Sequence, residues 1–141
     1  MKKQVLFICT HNSARSQMAE GLLRSLYGNY YEAYSAGTES SNINSYATRV
    51  MAEIGIDISM QHSKSIEKFR GMEFGYVVTV CDHAKEVCPF FPNAKKYLHK
   101  NFHEPSLEGS KEEILEFFRS IRNEIKEYIK ITFDIEYVLG R

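Results

Sequence analysis

The sequence predicts an α/β fold, a parallel sheet wrapped by helices, and three observations carry that reading. Val5-Leu6-Phe7-Ile8 and Tyr76-Val77-Val78-Thr79-Val80 are short apolar, β-branched runs of the kind found in strands covered on both faces. Residues 18–26 and 114–129 instead repeat apolar side chains at helical spacing. The two kinds of segment alternate along the chain, the order expected of parallel strands joined by helical crossovers. With 141 residues and 43% hydrophobic content, one domain spanning 1–141 can bury a core.

The elements follow in order. Val5–Ile8 is the first strand. Met18, Ala19, Leu22, Leu23 and Leu26 mark one face of a helix that stops near Tyr27-Gly28-Asn29. Tyr30–Tyr34 reads as a second strand, closed by Ser35-Ala36-Gly37-Thr38. A helix over about 45–55 carries Ala47, Val50, Met51 and Ile54 on one face and ends at Gly55. Ile56–Ser59 is a connector, Ser65–Phe69 a brief helix, and Tyr76–Val80 the strongest strand. A weaker strand falls at Lys96–His99. The last helix runs from about Ser110 to Lys130, opened by a capping box of Ser110 and Glu113. Residues 132–141 alternate weakly, as a short strand or a mobile end would.

Charge narrows the function. Lys plus Arg (18) balances Asp plus Glu (18), so no global field draws nucleic acid or an anionic membrane. The N-terminal apolar run is too short for a signal peptide or a membrane span. Three cysteines without a secretory signal do not make a disulfide framework. A cytoplasmic chain is expected, with cysteines kept for chemistry or packing.

The chemistry concentrates in Cys9-Thr10-His11-Asn12-Ser13-Ala14-Arg15-Ser16. Cys9 sits where a strand ends and Arg15 where a helix begins. The backbone N–H groups between them have no helical acceptors, so Thr10, His11, Asn12, Ser13, Ala14 and Arg15 can converge on an anion. Arg15 adds a planar fork suited to a tetrahedral oxyanion. The same positive field favours a thiolate at Cys9, a nucleophile on the floor of the cradle. Chance places Arg-Ser or Arg-Thr at this spacing after roughly one cysteine in a hundred or two, and the strand–helix context makes coincidence rarer still.

Cys81 follows the strongest strand, and Cys88 lies seven residues on, just before Pro89. If the two strands are neighbours, Cys9 and Cys81 face one crevice at the carboxyl ends of the sheet. Cys88 alone reads equally as a small buried hydrophobe. A zinc set of Cys9, Cys81, His83 and Cys88 has no compact ligand spacing. The three thiols together suggest a relay, in which a neighbouring thiol resolves an adduct as a disulfide.

The run Cys9–Gly21 resembles the active-site loop of thioredoxin-coupled arsenate reductases, which share the fold of low-molecular-weight protein tyrosine phosphatases. Ser35-Ala36-Gly37, Ile54-Gly55-Ile56-Asp57, Val78-Thr79-Val80-Cys81 and Cys88-Pro89 resemble further family segments in order, up to about Lys130. The resemblance implies a three-layer α/β/α domain around four parallel strands. It implies that Cys9 attacks arsenate, that Cys81 attacks the Cys9 adduct, and that Cys88 closes a Cys81–Cys88 disulfide for thioredoxin to reduce. Ser16 hydrogen-bonds the Cys9 thiolate in that scheme. The family's aspartate before a proline becomes Glu104-Pro105 here, with His103 as the other candidate acid. Some members bind potassium through residues matching Asn12, Glu20 and Ser35 plus an acid. Lys64 stands in the acid's place, so no potassium or other bound cofactor is expected. The resemblance implies arsenate and thioredoxin as partners, and a monomer is expected. A phosphatase acting through phosphocysteine is the main alternative. A phosphocysteine carrier would leave Arg15, Cys81 and Cys88 without a purpose.

Overall fold

The structure, a computed structural model, describes residues 2–39, 41–88 and 91–134. Strands β1 (Lys3–Cys9), β2 (Tyr31–Gly37), β3 (Phe74–Thr79) and β4 (Ala94–His99) alternate with helices α1 (Arg15–Tyr27), α2 (Ser45–Ala52), α3 (Asp82–Val87) and α4 (Lys111–Phe133). A 3-10 turn at Ile66–Phe69 takes the place of the brief helix expected there. The sheet is wholly parallel in the order β2-β1-β3-β4. The α/β class and the four parallel strands are those the sequence predicts.

The apolar run of β1 is fully buried because β1 has a strand on each side, β2 and β3. The chain leaves β1 for β2 on one flank and returns as β3 on the other. The carboxyl ends of β1 and β3 therefore open a crevice at the switch in strand order. No helix among the described residues is long and apolar enough to cross a membrane.

Several boundaries differ from the sequence reading, each for a tertiary reason. β2 continues to Gly37 because Gly37 pairs with Cys9 and donates its N–H to the Lys64 carbonyl. α2 closes at Ala52 because residues 53–55 turn back, with Gly55 at φ +79° and Ile56 N–H bonded to the Met51 carbonyl. α4 runs three residues beyond Lys130 because buried Phe133 packs edge-on against Phe7, Tyr31 and Tyr76. The expected tail therefore begins inside a helix; its remainder from 135, like Pro89, lies outside the described residues. The Ser110–Glu113 capping box forms as read.

α2 and α4 are tied by charge as well as packing. Glu53, just past α2, bonds Arg119 at 2.7 Å and Arg122 at 3.0 Å. The Arg119 hydrogen bonds, assisted by Arg122, hold the Glu53 carboxyl down to about 2 from an ordinary 4.5. A depressed folded value contributes stability that is complete above the unfolded value and is lost as pH falls towards about 2. Glu53→Gln is therefore expected to flatten the acid limb of the stability profile between about pH 5 and 2 while changing little of its slope above pH 6, as followed by urea unfolding across that range.

Candidate active site

β1 ends at Cys9, and six residues later α1 starts at Arg15. The turn between them requires one residue in the left-handed region, and Asn12 takes it at φ +51°. Asparagine tolerates that conformation better than most residues with a side chain. Gly37 packs behind the turn, where an added Cβ would lie 2.8 Å from the Thr10 carbonyl and 2.9 Å from Asn12 N. Only a glycine lets β2 approach the cradle so closely. Among the described residues, the backbone N–H groups of residues 11–15 find no acceptor. They are the donors left over for an anion above Cys9.

Behind the cradle the side chains satisfy one another in a fixed direction. Asn12 Oδ1 accepts from Gln17 Nε2 at 2.9 Å and from the Lys64 N–H at 2.8 Å. Its Nδ2 must then point to Ser16 Oγ, 2.7 Å away. With a lone pair so occupied, the Ser16 hydroxyl has its proton free for Cys9 Sγ at 2.8 Å. Gln17 is oriented in turn by Gln61 Nε2, which donates to Gln17 Oε1 at 2.7 Å, and Gln61 Oε1 accepts from Arg24 at 3.0 Å. Asn12, Ser16 and Gln17 are fully buried. A chain of five hydrogen bonds thus runs from Arg24 to the sulfur, every link donating towards Cys9.

The other predicted residues gather around this floor. Cys9, His11, Ser13, Ala14, Arg15, Ser41, Asn44, Glu104, Pro105, Leu107 and Phe118 line a cavity of about 150 Å³. Arg15 Nη1 donates to the Phe102 carbonyl at 3.0 Å, which ties the guanidinium to the loop carrying Glu104. His103 is exposed and is not part of the lining, so Glu104 is the carboxyl that faces the pocket. β1 and β3 are neighbours, and Cys81 Sγ lies 3.5 Å from Thr10 Oγ1 at the edge of the cradle. Cys88 is half-buried at the end of α3, and burial pushes its thiol up. None of the three cysteines is in a disulfide. Among the described residues no group of three or more His, Cys, Asp and Glu is arranged for a metal, so the zinc set is not assembled.

Glu20, buried in α1, gathers charge beside the cradle. Arg24 lies 2.6 Å from Oε2, the Ser35 hydroxyl donates to Oε1 at 2.6 Å, and Lys64 Nζ stands 3.6 Å from Oε1. Lys64 also donates to the His62 carbonyl at 2.6 Å. Burial pushes the Lys64 ammonium down, while Glu20 opposes that shift. A potassium ion here would face an ammonium and a guanidinium, and the Asn12 oxygen is already committed to two N–H donors. The residues present do not fit that ion.

Sequence reasoning missed Gln17, Gln61 and the Phe102 carbonyl. Gln17 and Gln61 are 44 positions apart with no shared pattern, and a main-chain carbonyl leaves no residue-type signal at all.

Comparison with known proteins follows the same lines. The family model described as low molecular weight phosphotyrosine protein phosphatase matches residues 4–133. An arsenate reductase of Halalkalibacterium halodurans is 45% identical over 130 residues, covering 92% of this chain and 94% of the relative. A solved arsenate reductase in its phosphate-binding state superposes with TM-score 0.79 at 34% identity, covering 92% of this chain and 95% of that one. A thioredoxin-dependent arsenate reductase of Corynebacterium glutamicum superposes at 0.64 and 33% identity, covering 92% of this chain and 61% of that longer one.

The carboxamide at position 12 makes the network testable. Asn12→Ala forces alanine into the left-handed region and removes the bond that orients Ser16. Alkylation of Cys9 by iodoacetamide at neutral pH is expected to slow by about threefold or more, as the Ser16 hydroxyl loses a neutral hydrogen bond worth about 1 kcal/mol that aims its proton at the sulfur.

Proposed function

The chain belongs to the low molecular weight phosphotyrosine protein phosphatase family, and from that premise we propose that it is an arsenate reductase whose three cysteines pass electrons from thioredoxin to arsenic. The observation that carries this reading is Cys81 at the rim of the Cys9 cradle, held against Thr10, with Cys88 one short helix away. A phosphatase needs Cys9, Arg15 and an acid, but has no use for that second pair.

Arsenate sits on the N–H groups of residues 11–15 with Arg15 across two of its oxygens. The Cys9 thiolate, held by the Ser16 hydroxyl, attacks arsenic; a sulfur–arsenic bond forms and an arsenic–oxygen bond breaks. Glu104 protonates the departing oxygen, which leaves as water. The Cys81 thiolate then attacks Cys9 sulfur. The sulfur–arsenic bond breaks with its electron pair on arsenic, so arsenic falls from the +5 to the +3 state and arsenite departs. Cys88 attacks Cys81 sulfur, Cys9 leaves as a thiolate, and the Cys81–Cys88 disulfide remains. Thioredoxin supplies two electrons to restore both thiols.

The last exchange needs motion. Cys81 and Cys88 cap a helix whose rise over seven residues is about 10 Å, and a disulfide needs Cα atoms within roughly 7 Å. α3 must unwind, and doing so also lifts the burial that pushes the Cys88 thiol up. The folded helix keeps the two thiols too far apart to join.

No cofactor is needed in this scheme, and the Lys64 ammonium supplies the charge that a monovalent cation would otherwise bring to Glu20. Replacing sodium by potassium chloride is expected to leave both the rate and the Tm unchanged. Lys64→Ala should instead acquire a Tm that rises with added potassium or ammonium chloride; an equal response of the parent enzyme would contradict the assignment.

The deciding experiment compares two substrates. Cys9→Ser is expected to abolish both arsenate reduction and aryl-phosphate hydrolysis. Cys81→Ser and Cys88→Ser should stop multiple-turnover arsenate reduction with thioredoxin yet keep aryl-phosphate hydrolysis within about twofold, because only reduction uses the relay. Equal loss of both activities in the latter two variants would make those cysteines structural.

A further inference from the structure

A helix of six residues does not hold itself together in water, so α3 depends on what its residues touch. Ala84 is its single buried side chain, and His83, Lys85, Glu86 and Val87 are exposed. The first residue is tied much more firmly. Asp82 donates its N–H to Asn101 Oδ1 at 3.0 Å, and its carboxylate lies 2.8 Å from His99 Nε2. The carboxylate assigns a proton to Nε2. The other ring nitrogen, Nδ1, lies 2.8 Å from the hydroxyl of Thr79, the residue directly across from His99 in the β3–β4 pairing. The imidazole is therefore held on both sides, by the sheet through Thr79 and by α3 through Asp82.

This arrangement has no part in binding the oxyanion. Asp82, His99 and Thr79 are absent from the lining of the Cys9 pocket, and Thr79 is buried in the sheet. It acts on the segment that the relay must unwind. Asp82 directly follows Cys81, so drawing Cys88 back to Cys81 changes the backbone at the residue that carries the contact. An acidic side chain in the first turn also favours the helical form through the helix dipole.

Resting on the relay proposed above, we infer that Asp82 and His99 form a latch that holds α3 helical in the dithiol enzyme and sets how readily the Cys81–Cys88 disulfide forms. The two are positioning residues, acting through the backbone of Cys81 rather than on arsenic. A contact present in the dithiol state and lost in the disulfide state biases the equilibrium by its whole differential worth. The latch thus makes the oxidised enzyme a better acceptor of electrons from thioredoxin, at the expense of slower closure of the disulfide.

The test is a redox titration of the full-length protein against dithiothreitol, with the Cys81–Cys88 disulfide counted by peptide mass. The exchange converts one protein disulfide and one dithiol into one protein dithiol and one cyclic disulfide, so its equilibrium constant reads the latch directly. Asp82→Ala and His99→Leu are expected to shift that constant about three- to tenfold towards the protein disulfide, the range for one partly exposed hydrogen bond to a charged group. His99→Gln, whose amide nitrogen can still donate to Asp82, should stay near the parent value. All three should keep Cys9-dependent aryl-phosphate hydrolysis, which a general loss of folding would not spare. Constants equal to the parent, a shift towards the dithiol, or a His99→Gln as displaced as His99→Leu would each overturn the latch. A parent enzyme that forms no Cys81–Cys88 disulfide after arsenate turnover would count against the relay alone, because the titration does not require arsenate.

Discussion

Burying the loop behind Cys9 forces its polar atoms to satisfy one another, and the Asn12 carboxamide is where those demands meet. Its oxygen takes two N–H donors and its nitrogen holds Ser16, so the amide can point only one way. That orientation propagates outwards. It frees the Ser16 proton for Cys9 and fixes the Lys64 backbone against the cradle. No side-chain nitrogen or oxygen is left buried without a partner among the described residues. A cradle whose wall is fully satisfied keeps its shape when no anion is present, so binding does not have to organise it.

A firmly packed part and a weakly held part of the molecule meet at the carboxyl ends of the sheet. β1 and β3 are interior strands, with Val5–Ile8 and Val77–Val78 fully buried, and they hold Cys9 and the segment leading to Cys81 in fixed register. α3 follows β3 after a two-residue link and buries one alanine. Local opening follows few apolar contacts and exposed side chains, and α3 has both. The division suits a thiol relay. Attack on the substrate and the first disulfide exchange need atoms held within a fraction of an ångström, whereas the second exchange needs a helix that gives way.

Much of this was legible in the sequence because it is local. The strand before Cys9, the helix after Arg15 and the Ser110 capping box each depend on residues a few positions apart, where side-chain period and turn chemistry decide the outcome. The arrangement of Cys81 beside the cradle was legible one step less directly, since it required β1 and β3 to be neighbours. What the sequence did not reveal is long-range and polar. Gln61 reaches Gln17, His99 reaches Asp82, and Glu53 reaches Arg119 across turns whose geometry no periodicity encodes. The end of α4 belongs to the same class: Phe133 is helical because three aromatic rings from the sheet enclose it, and the weak alternation of residues 132–141 gave the opposite impression.

If the relay proposed above operates, selectivity arises after binding. A set of N–H donors and one guanidinium reads charge and tetrahedral shape, and phosphate offers both as well as arsenate does. In the relay proposed above, the thiol at the rim is a filter of a different kind. Attack of Cys81 on Cys9 sulfur would require the central atom to accept the electron pair of the breaking bond. Arsenic in a thiol ester can do so and leave as the +3 oxyanion, whereas phosphorus cannot, and a phosphocysteine can only be hydrolysed or revert. On that proposal discrimination rests on chemistry at Cys81 instead of affinity at Cys9, and the cradle can stay as permissive as its backbone donors make it.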